Sequence, residues 1–393
     1  MIYLREEIEK FFCEKNFEYL EEKKITDTHG KHDYNTSLLV AHVNEILNDQ
    51  KNSYSIQRVY YPVGNNEAMR YPLFSYFQVM SNFYYKNVKD ISKPLLIAIE
   101  FLEKVIEVNR NSLKVLIYKE TYNLYKETIS TYFKENQIII QDQKSSYEFN
   151  HSGKNVTGEY IKFLYSDSNN KFFPIYDFVL MSYENSLTIE AGGILDRFLF
   201  IKEKKYNIYQ TKMYSDYLVF AKNDLGKEFF EPNKDYIGYY AIQMLRSITI
   251  AMLDGVKPSN KNPQAKNLRY WIKYLMIRLT MYNISPFWII KSLNHVFENL
   301  KLCGYSYTEK NYKRVTMIWE SEISNLFKDY YKEMMNIYKE DWDELSTVYL
   351  DVLNLLSKKN QKEAIMHQQR LSHGYPFEDE LQEFKNLTPL LIK

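Results

Sequence analysis

Apolar residues fall at Leu4, Ile8, Phe11 and Phe12, with Glu and Lys between them. Spaced at i, i+4, i+7 and i+8, they form one stripe of a helix and predict an amphipathic opening element with that stripe toward a core. The pattern then changes period. From Tyr54 to Tyr61 the residues are mainly β-branched and aromatic, Pro62 to Asn66 break the run, and a second aromatic run extends from Leu73 to Tyr85. Two antiparallel strands joined by a loop of about ten residues are expected there. A helix entered near Pro94 follows. Next come a strand at Leu113 to Tyr118, a helix at Tyr122 to Phe133, a strand at Gln137 to Gln141, a loop at Asn150 to Gly158, and strands at Glu159 to Leu164 and Ile175 to Tyr183. Between Ser186 and Phe200, Leu187, Thr188 and Ile189 have strand character, Gly192 and Gly193 break it, and helical spacing resumes at Ile194. This reads as strand, glycine elbow and helix. Helices and strands mix without the regular alternation of a doubly wound fold, so the first half is expected to be α+β, with an antiparallel sheet.

Past Glu231-Pro232 only helical periodicity remains. Ile242, Leu245, Thr249 and Met252 line one helix that stops at Gly255. After the linker Lys257 to Pro263, Leu268, Trp271, Ile272, Leu275 and Leu279 line the next. Further helices are expected at Pro286 to Leu300, Val315 to Tyr338 and Asp343 to Leu356. The change of period divides the chain into 1–232 and 233–393.

Composition narrows the class. With 45% hydrophobic and 26% charged residues over 393 positions, the chain can bury two or more cores and is not a disordered polymer. Its formal net charge of +1 provides no global field for a polyanion, so any nucleic-acid contact must come from local patches. Two cysteines, Cys13 and Cys303, lie far apart beside apolar residues, and both are expected to be reduced core thiols. The N-terminus is too charged for a signal peptide and no apolar run has the length of a membrane span, so a cytoplasmic protein is expected.

The candidate chemistry is concentrated around the glycines. Glu190 before them and Arg197 beyond them can point into one cleft, where an acid would hold an ammonium and an arginine a phosphate. A packed turn with a surface Asp196/Arg197 pair would give the same string. Lys266, Arg269 and Lys273 share a helix face, with Lys257 and Lys261 just ahead, a stripe that suits a phosphate backbone or simply a solvated surface. His32 and His42 have no partner at ligand spacing.

The string Asp254-Gly255-Val256 with Pro258-Ser259-Asn260, inside Arg246 to Asn260, resembles the segment that opens the helical tRNA-recognition domain of alanyl-tRNA synthetases. Further islands match in the same order: Phe11-Phe12, Gln57-Arg58, Phe77 to Phe83, Ile175 to Val179, Ala191-Gly192 with Leu195-Asp196-Arg197, and Gly374 to Glu378. The resemblance implies a class II synthetase fold, adenylation of an amino acid by ATP with Mg2+, and transfer to tRNA or another acceptor. It covers the catalytic and helical domains, and the editing domain is expected to be absent. It implies that Arg197 binds the terminal phosphate of ATP, that Gly192 and Phe77 lie against the nucleotide, that Glu190 holds the amino-acid ammonium, and that Asp177 and Val179 line the amino-acid pocket. For tRNA it implies Lys257, Asn260, Lys261, Asn262, Lys266 and Arg269.

The departures from the family bear on activity. Aligning Gln57-Arg58 on the family's Gln-Arg pair puts Tyr61 where an arginine serves the α-phosphate, and Arg58 and Arg70 are the alternatives. The substrate that the resemblance implies is a small amino acid, alanine or a related or diamino acid; Asp177 replaces an asparagine and Glu190 an aspartate, so two carboxylates share a pocket built for one, which points away from alanine to a substrate with a second amine or to a smaller one crowded by Glu190. Leu371 or Ser372 stands where an aspartate reads the acceptor stem. The readings that follow are an editing-free synthetase relative, a pseudo-synthetase that binds nucleotide or RNA without chemistry, and a helical interaction protein on an inert scaffold.

Overall fold

The computed structural model describes residues 1–28, 33–60, 77–151, 154–166, 172–184, 186–205, 208–234, 236–282 and 284–337. The chain divides into two compact units. The first comprises Met1–Tyr60 and Gln78–Thr211, and the second runs from Lys212 and includes Phe77.

In the first unit, α1 (Ile2–Glu14) leads into the two-residue strand β1 (Glu18–Tyr19), then α2 (Leu38–Asn48) and β2 (Ser53–Tyr60). β3 (Phe77–Tyr85), α3 (Ser92–Lys104), β4 (Leu113–Tyr118), α4 (Lys119–Tyr132) and β5 (Ile138–Gln141) follow. The chain continues through β6 (Ser146–His151), β7 (Lys154–Ser166), β8 (Phe172–Tyr183) and β9 (Ser186–Ile194) to α5 (Leu195–Lys202). The strands form one sheet in the order β1-β2-β3-β9-β8-β7-β4-β5, with β6 on β7. Its central ladders, β3 to β9, β9 to β8 and β8 to β7, are antiparallel, as the α+β reading expects.

Strand alternation gives the sheet two chemically different faces. On one, Phe12 of α1 stacks on Tyr54 at 5.0 Å and packs 5.5 Å from both Phe83 and Phe101. Phe101 of α3 then meets Phe198 of α5 at 5.6 Å and Tyr176 at 5.8 Å. Each such ring pair adds ~1 kcal/mol beyond the burial of its area. The predicted stripe of α1 is the buried one, Leu4, Ile8, Phe11 and Phe12. On the other face Leu38, Leu39, Val43 and Ile46 of α2 pack against Tyr84 and Met181.

Three expectations are corrected. Gly192 and Gly193 are not an elbow: β9 runs through both, paired with β3 and with β8, and the helix begins only at Leu195. A Cβ on Gly192 would strike the Asn82 side chain and the Ser81 carbonyl oxygen, and one on Gly193 would strike the Ile175 carbonyl oxygen, so close strand neighbours explain the glycines. Asn150 to Gly158 is not a loop, because β6 and β7 pair from Ser146–Glu159 to His151–Lys154 and take up its backbone hydrogen bonds. Cys13 is exposed, one position past the stripe that ends at Phe12, whereas Cys303 is buried as expected.

Lys86, just past β3, is buried, and its Nζ donates to the carbonyl oxygen of Ile46 in the last turn of α2. Burial pushes its ammonium down to about 8, against the pull of Asp49. The sign follows from linkage: between the folded value and the ordinary unfolded value near ~10.4 the native state has shed its proton and the unfolded state has not. Stability contributed by this group therefore rises with pH across that window, by an amount on the order of 2–3 kcal/mol. Lys86→Met is expected to flatten the rise, and urea titrations of wild type and variant at pH 7 and pH 10 check it; equal pH slopes would contradict it.

The second unit contains α6 (Ser215–Leu225), α7 (Ile237–Leu253), α8 (Pro263–Met281), α9 (Trp288–Leu302) and α10 (Glu309–Ile337). Arg246, central in α7, is fully buried and donates to Tyr214 Oη at 2.5 Å, Cys303 Sγ at 3.0 Å and the Phe77 carbonyl oxygen at 3.2 Å. No described helix in either unit is long and apolar enough to cross a membrane.

Candidate active site

The face on which α2 packs carries the acids. Within the β8–β9 ladder Asp177 lies opposite Gly192 and Val179 opposite Glu190, and in the β3–β9 ladder Asn82 lies opposite Gly192 and Tyr84 opposite Glu190. Period-two alternation therefore puts Asn82, Tyr84, Asp177, Val179, Glu190 and Gly192 on one face. β7 extends the row, with Tyr160 opposite Val179 and Lys162 opposite Asp177. Four of the residues expected for amino acid and nucleotide, Asp177, Val179, Glu190 and Gly192, are thus brought together.

Glu190 is buried, and its Oε1 accepts from Asn82 Nδ2 at 2.8 Å and from Tyr84 Oη at 2.9 Å. Burial pushes its carboxyl up and the Asp177 charge adds to this, while the Tyr84 and Asn82 donors pull it back down. Asp177 is half-buried and makes no hydrogen bond or ion pair among the described residues. Burial raises its carboxyl too, opposed by the fields of Lys162 and Arg197. The Tyr147 ring of β6 lies on Gly158, where any Cβ would collide with it, and packs 5.6 Å from Tyr160. Its phenol is raised by burial and then by the charge of Glu190. The Tyr147 hydroxyl and Asn82 Oδ1 are both buried without a hydrogen-bond partner among the described residues. The site thus offers a carboxylate, an amide oxygen and a phenol oxygen, the acceptor set that an ammonium with three N–H donors requires.

Arg197, in the first turn of α5, is buried and donates from Nη1 to the Pro174 carbonyl oxygen at 2.6 Å. Arg58 lies elsewhere. Its backbone N–H and its Nε both donate to Glu22 Oε1, at 3.0 and 3.2 Å, and Arg5 of α1 binds the same carboxylate at 3.2 Å. Tyr54, four residues earlier on β2, faces α1 as well. Gln57 faces the opposite way, toward His42 of α2, whose Nε2 lies 3.1 Å from Gln57 Oε1 and 3.3 Å from Ser55 Oγ. Arg58 is therefore not gathered with the acids, and His42 is a buried, hydrogen-bonded residue. Tyr61, Arg70, His32, Leu371, Ser372 and the Gly374 to Glu378 match lie outside the described residues.

In the second unit, Phe77 is fully buried, with the Arg246 guanidinium 4.7 Å from its ring centroid and Tyr305 at 5.8 Å. Asn262 caps α8: its Oδ1 accepts from Ala265 N at 2.8 Å, with Pro263 as the first helical residue. Asn260 Oδ1 accepts from Arg269 Nη1 at 3.0 Å. Lys266 lies 5.8 Å from the Tyr270 ring centroid, Lys261 is exposed, and Lys257 lines a groove of about 1080 Å³ with residues 308–322 of the α10 end. Glu322 of α10, raised by burial, lies in the fields of Arg269 and Lys273, so part of the basic stripe faces an acid of its own unit. Asn262→Ala is expected to cost ~1 kcal/mol through loss of the cap, measured by thermal or urea unfolding; an unchanged midpoint would show that α8 does not depend on it.

Asn82, Tyr84, Tyr147, Gly158 and Lys162 were not singled out as functional from sequence. The period-two placement of Asn82 and Tyr84 in an aromatic run was the available signal. No group of three or more His, Cys, Asp or Glu residues that could hold a metal ion converges among the described residues.

No family model matches this chain, and no curated protein matches it. Among solved structures, similarity is found to tRNA synthetases. Staphylococcus aureus histidyl-tRNA synthetase matches at 10% identity and a TM-score of 0.35, over 56% of this chain and 74% of that one. Pyrrolysyl-tRNA synthetase from Desulfitobacterium hafniense matches at 7% identity and a TM-score of 0.31, over 54% and 72%. A second structure of that enzyme matches at 10% identity and a TM-score of 0.28, over 53% and 71%.

Proposed function

We propose that the first unit binds a small amino acid through its ammonium and activates it with ATP as an aminoacyl-adenylate, for transfer to tRNA or another acyl acceptor. The observation that carries the reading is the buried Glu190, with Asn82 Oδ1 and the Tyr147 hydroxyl near it, both without a hydrogen-bond partner among the described residues. An ammonium fits these three acceptors, and Val179 opposite Glu190 gives the adjoining surface an apolar patch. Adenylation joins the amino-acid carboxylate to the α-phosphorus of ATP and releases pyrophosphate, so negative charge develops on the α-phosphate and calls for a cation. Arg197 serves the nucleotide phosphates in this reading, with Mg2+ supplied alongside ATP. Arg70 remains the candidate for the α-phosphate. The second unit carries the acceptor contacts in the same reading, through Lys257, Lys261 and Lys266.

ATP–pyrophosphate exchange with each natural amino acid and a set of diamino acids tests this. Exchange with one or a few small amino acids, lost in Arg197→Ala, is the expected result. One observation favours a second reading, a protein that binds amino acid or nucleotide without chemistry: Arg58 is held by Glu22 on the α1 side of β2. Ligand binding without any exchange would select it.

A further inference from the structure

Two acids on one pocket face invite a substrate with two amines, and the sheet register bears on that choice. The row across the three strands reads Glu190 with Gly192 on β9, Asp177 with Val179 on β8, and Lys162 with Tyr160 on β7. Lys162 is the direct cross-strand neighbour of Asp177, and the residue beyond it in the row is Leu116 on β4. Lys162 is half-buried, and its Nζ lies 5.5 Å from the Tyr160 ring centroid, which keeps it along the same face. Asp177 has no hydrogen bond and no ion pair among the described residues; burial raises its carboxyl, and of the two cationic fields that oppose this, Lys162 and Arg197, that of Lys162 is the larger. Glu190 differs: it has two donors of its own and two unpartnered acceptors beside it. One position is built to receive a cation, and the other already stands beside one.

We propose that Lys162 is a specificity-determining residue of this site. Standing across the ladder from Asp177, it supplies the positive charge that a second substrate ammonium would otherwise bring, so the site accepts an amino acid with one amine and excludes a diamino acid. The inference rests on the reading of Glu190 as the ammonium site. A second ammonium near Asp177 would meet Lys162 as a like charge at short range, which is a repulsive element of specificity. Removing Lys162 leaves Asp177 with the Arg197 field alone to offset its burial, and a diamino acid then gains an attractive partner.

The test uses matched pairs of equal chain length: alanine against 2,3-diaminopropionate, and 2-aminobutyrate against 2,4-diaminobutyrate. Each is titrated calorimetrically, with and without ATP, into wild type, Lys162→Met and Lys162→Met/Asp177→Asn. Methionine keeps the length and apolar stem of the lysine, and thermal melts of all three proteins confirm folding. Wild type is expected to bind the monoamines and to discriminate against the diamino acids, Lys162→Met to improve diamino-acid affinity by 10-fold or more, and the double variant to lose that gain. Monoamine binding with discrimination unchanged in Lys162→Met would overturn the proposal, as would wild type preferring a diamino acid. Binding of neither class to wild type would instead overturn the reading of Glu190 itself, and the two failures are therefore distinct.

Discussion

Glu190→Gln is expected to reduce affinity for the substrate amine by roughly 100-fold or more while leaving the fold intact, because truncating one partner of a buried hydrogen-bonded charge pair costs on the order of 2–5 kcal/mol. Glutamine keeps the shape of the side chain, and its Oε1 can still accept from Asn82 Nδ2 and Tyr84 Oη, which lie at 2.8 and 2.9 Å in the native protein. What disappears is the charge. Burial and Asp177 already hold the native carboxyl above its ordinary range, so ionised Glu190 is a cost to the folded state, and the variant should be as stable as wild type or more so. The same shift sets the pH profile. Binding needs an ionised Glu190 and a protonated amine, so affinity falls on acidification through the raised carboxyl value. Calorimetry from pH 5 to pH 8 on wild type and Glu190→Gln reads both effects. A variant that binds as tightly as wild type would remove Glu190 from the site.

The largest effect on stability is expected at Gly192. A methyl group there would sit on the Asn82 side chain and on the Ser81 carbonyl oxygen. Asn82 could rotate away, at the cost of its bond to Glu190, but the Ser81 oxygen is backbone and can move only if β3 shifts from β9. Overpacking of this kind costs roughly 1–3 kcal/mol and sometimes more, and the obstruction by backbone places Gly192→Ala at ~3 kcal/mol or above. Gly255→Ala is the control. No atom lies within 4 Å of a Cβ there, and the expected cost of ~1 kcal/mol comes only from its φ of 107°. Urea midpoints compare the two. Gly192→Ala at or below the cost of Gly255→Ala would mean that the strands yield more easily than the packing indicates.

Much of the sheet and its acids was legible in the sequence because strand alternation is local. Given a strand at Ile175 to Tyr183, Asp177 and Val179 must share a face; that Glu190 and Gly192 share one too follows only once β9 is seen to run through the glycines. The partners from β3 and β7 were not legible, because they depend on register: Asn82 meets Gly192 across 110 positions of chain, and no local pattern specifies that pairing. The glycines misled for a related reason. In isolation Gly-Gly weakens a strand and reads as a break, yet here the closeness of Asn82, Ser81 and the Ile175 carbonyl oxygen makes glycine the residue that the strand can accommodate. The polar run Asn150 to Gly158 was obscured by composition, since Asn, Ser, Gly and Lys signal a loop wherever no partner strand is visible. Lys162 carried no signal of its own. A lone lysine in an aromatic strand reads as a solvent-facing charge until the residue across the ladder is known to be an acid.

Because the aromatic core and the acid-bearing face use alternate residues of the same strands, insertions and deletions act on this unit quite differently from substitutions. Removing one residue between Thr188 and Glu190 would turn Glu190 toward Phe101 and Phe198 and bring Ala191 to the acid-bearing face, exchanging core and site in one step. Lineages descended from this chain should therefore vary in length at the ends of the central strands and keep their length within them, even where the residues themselves change.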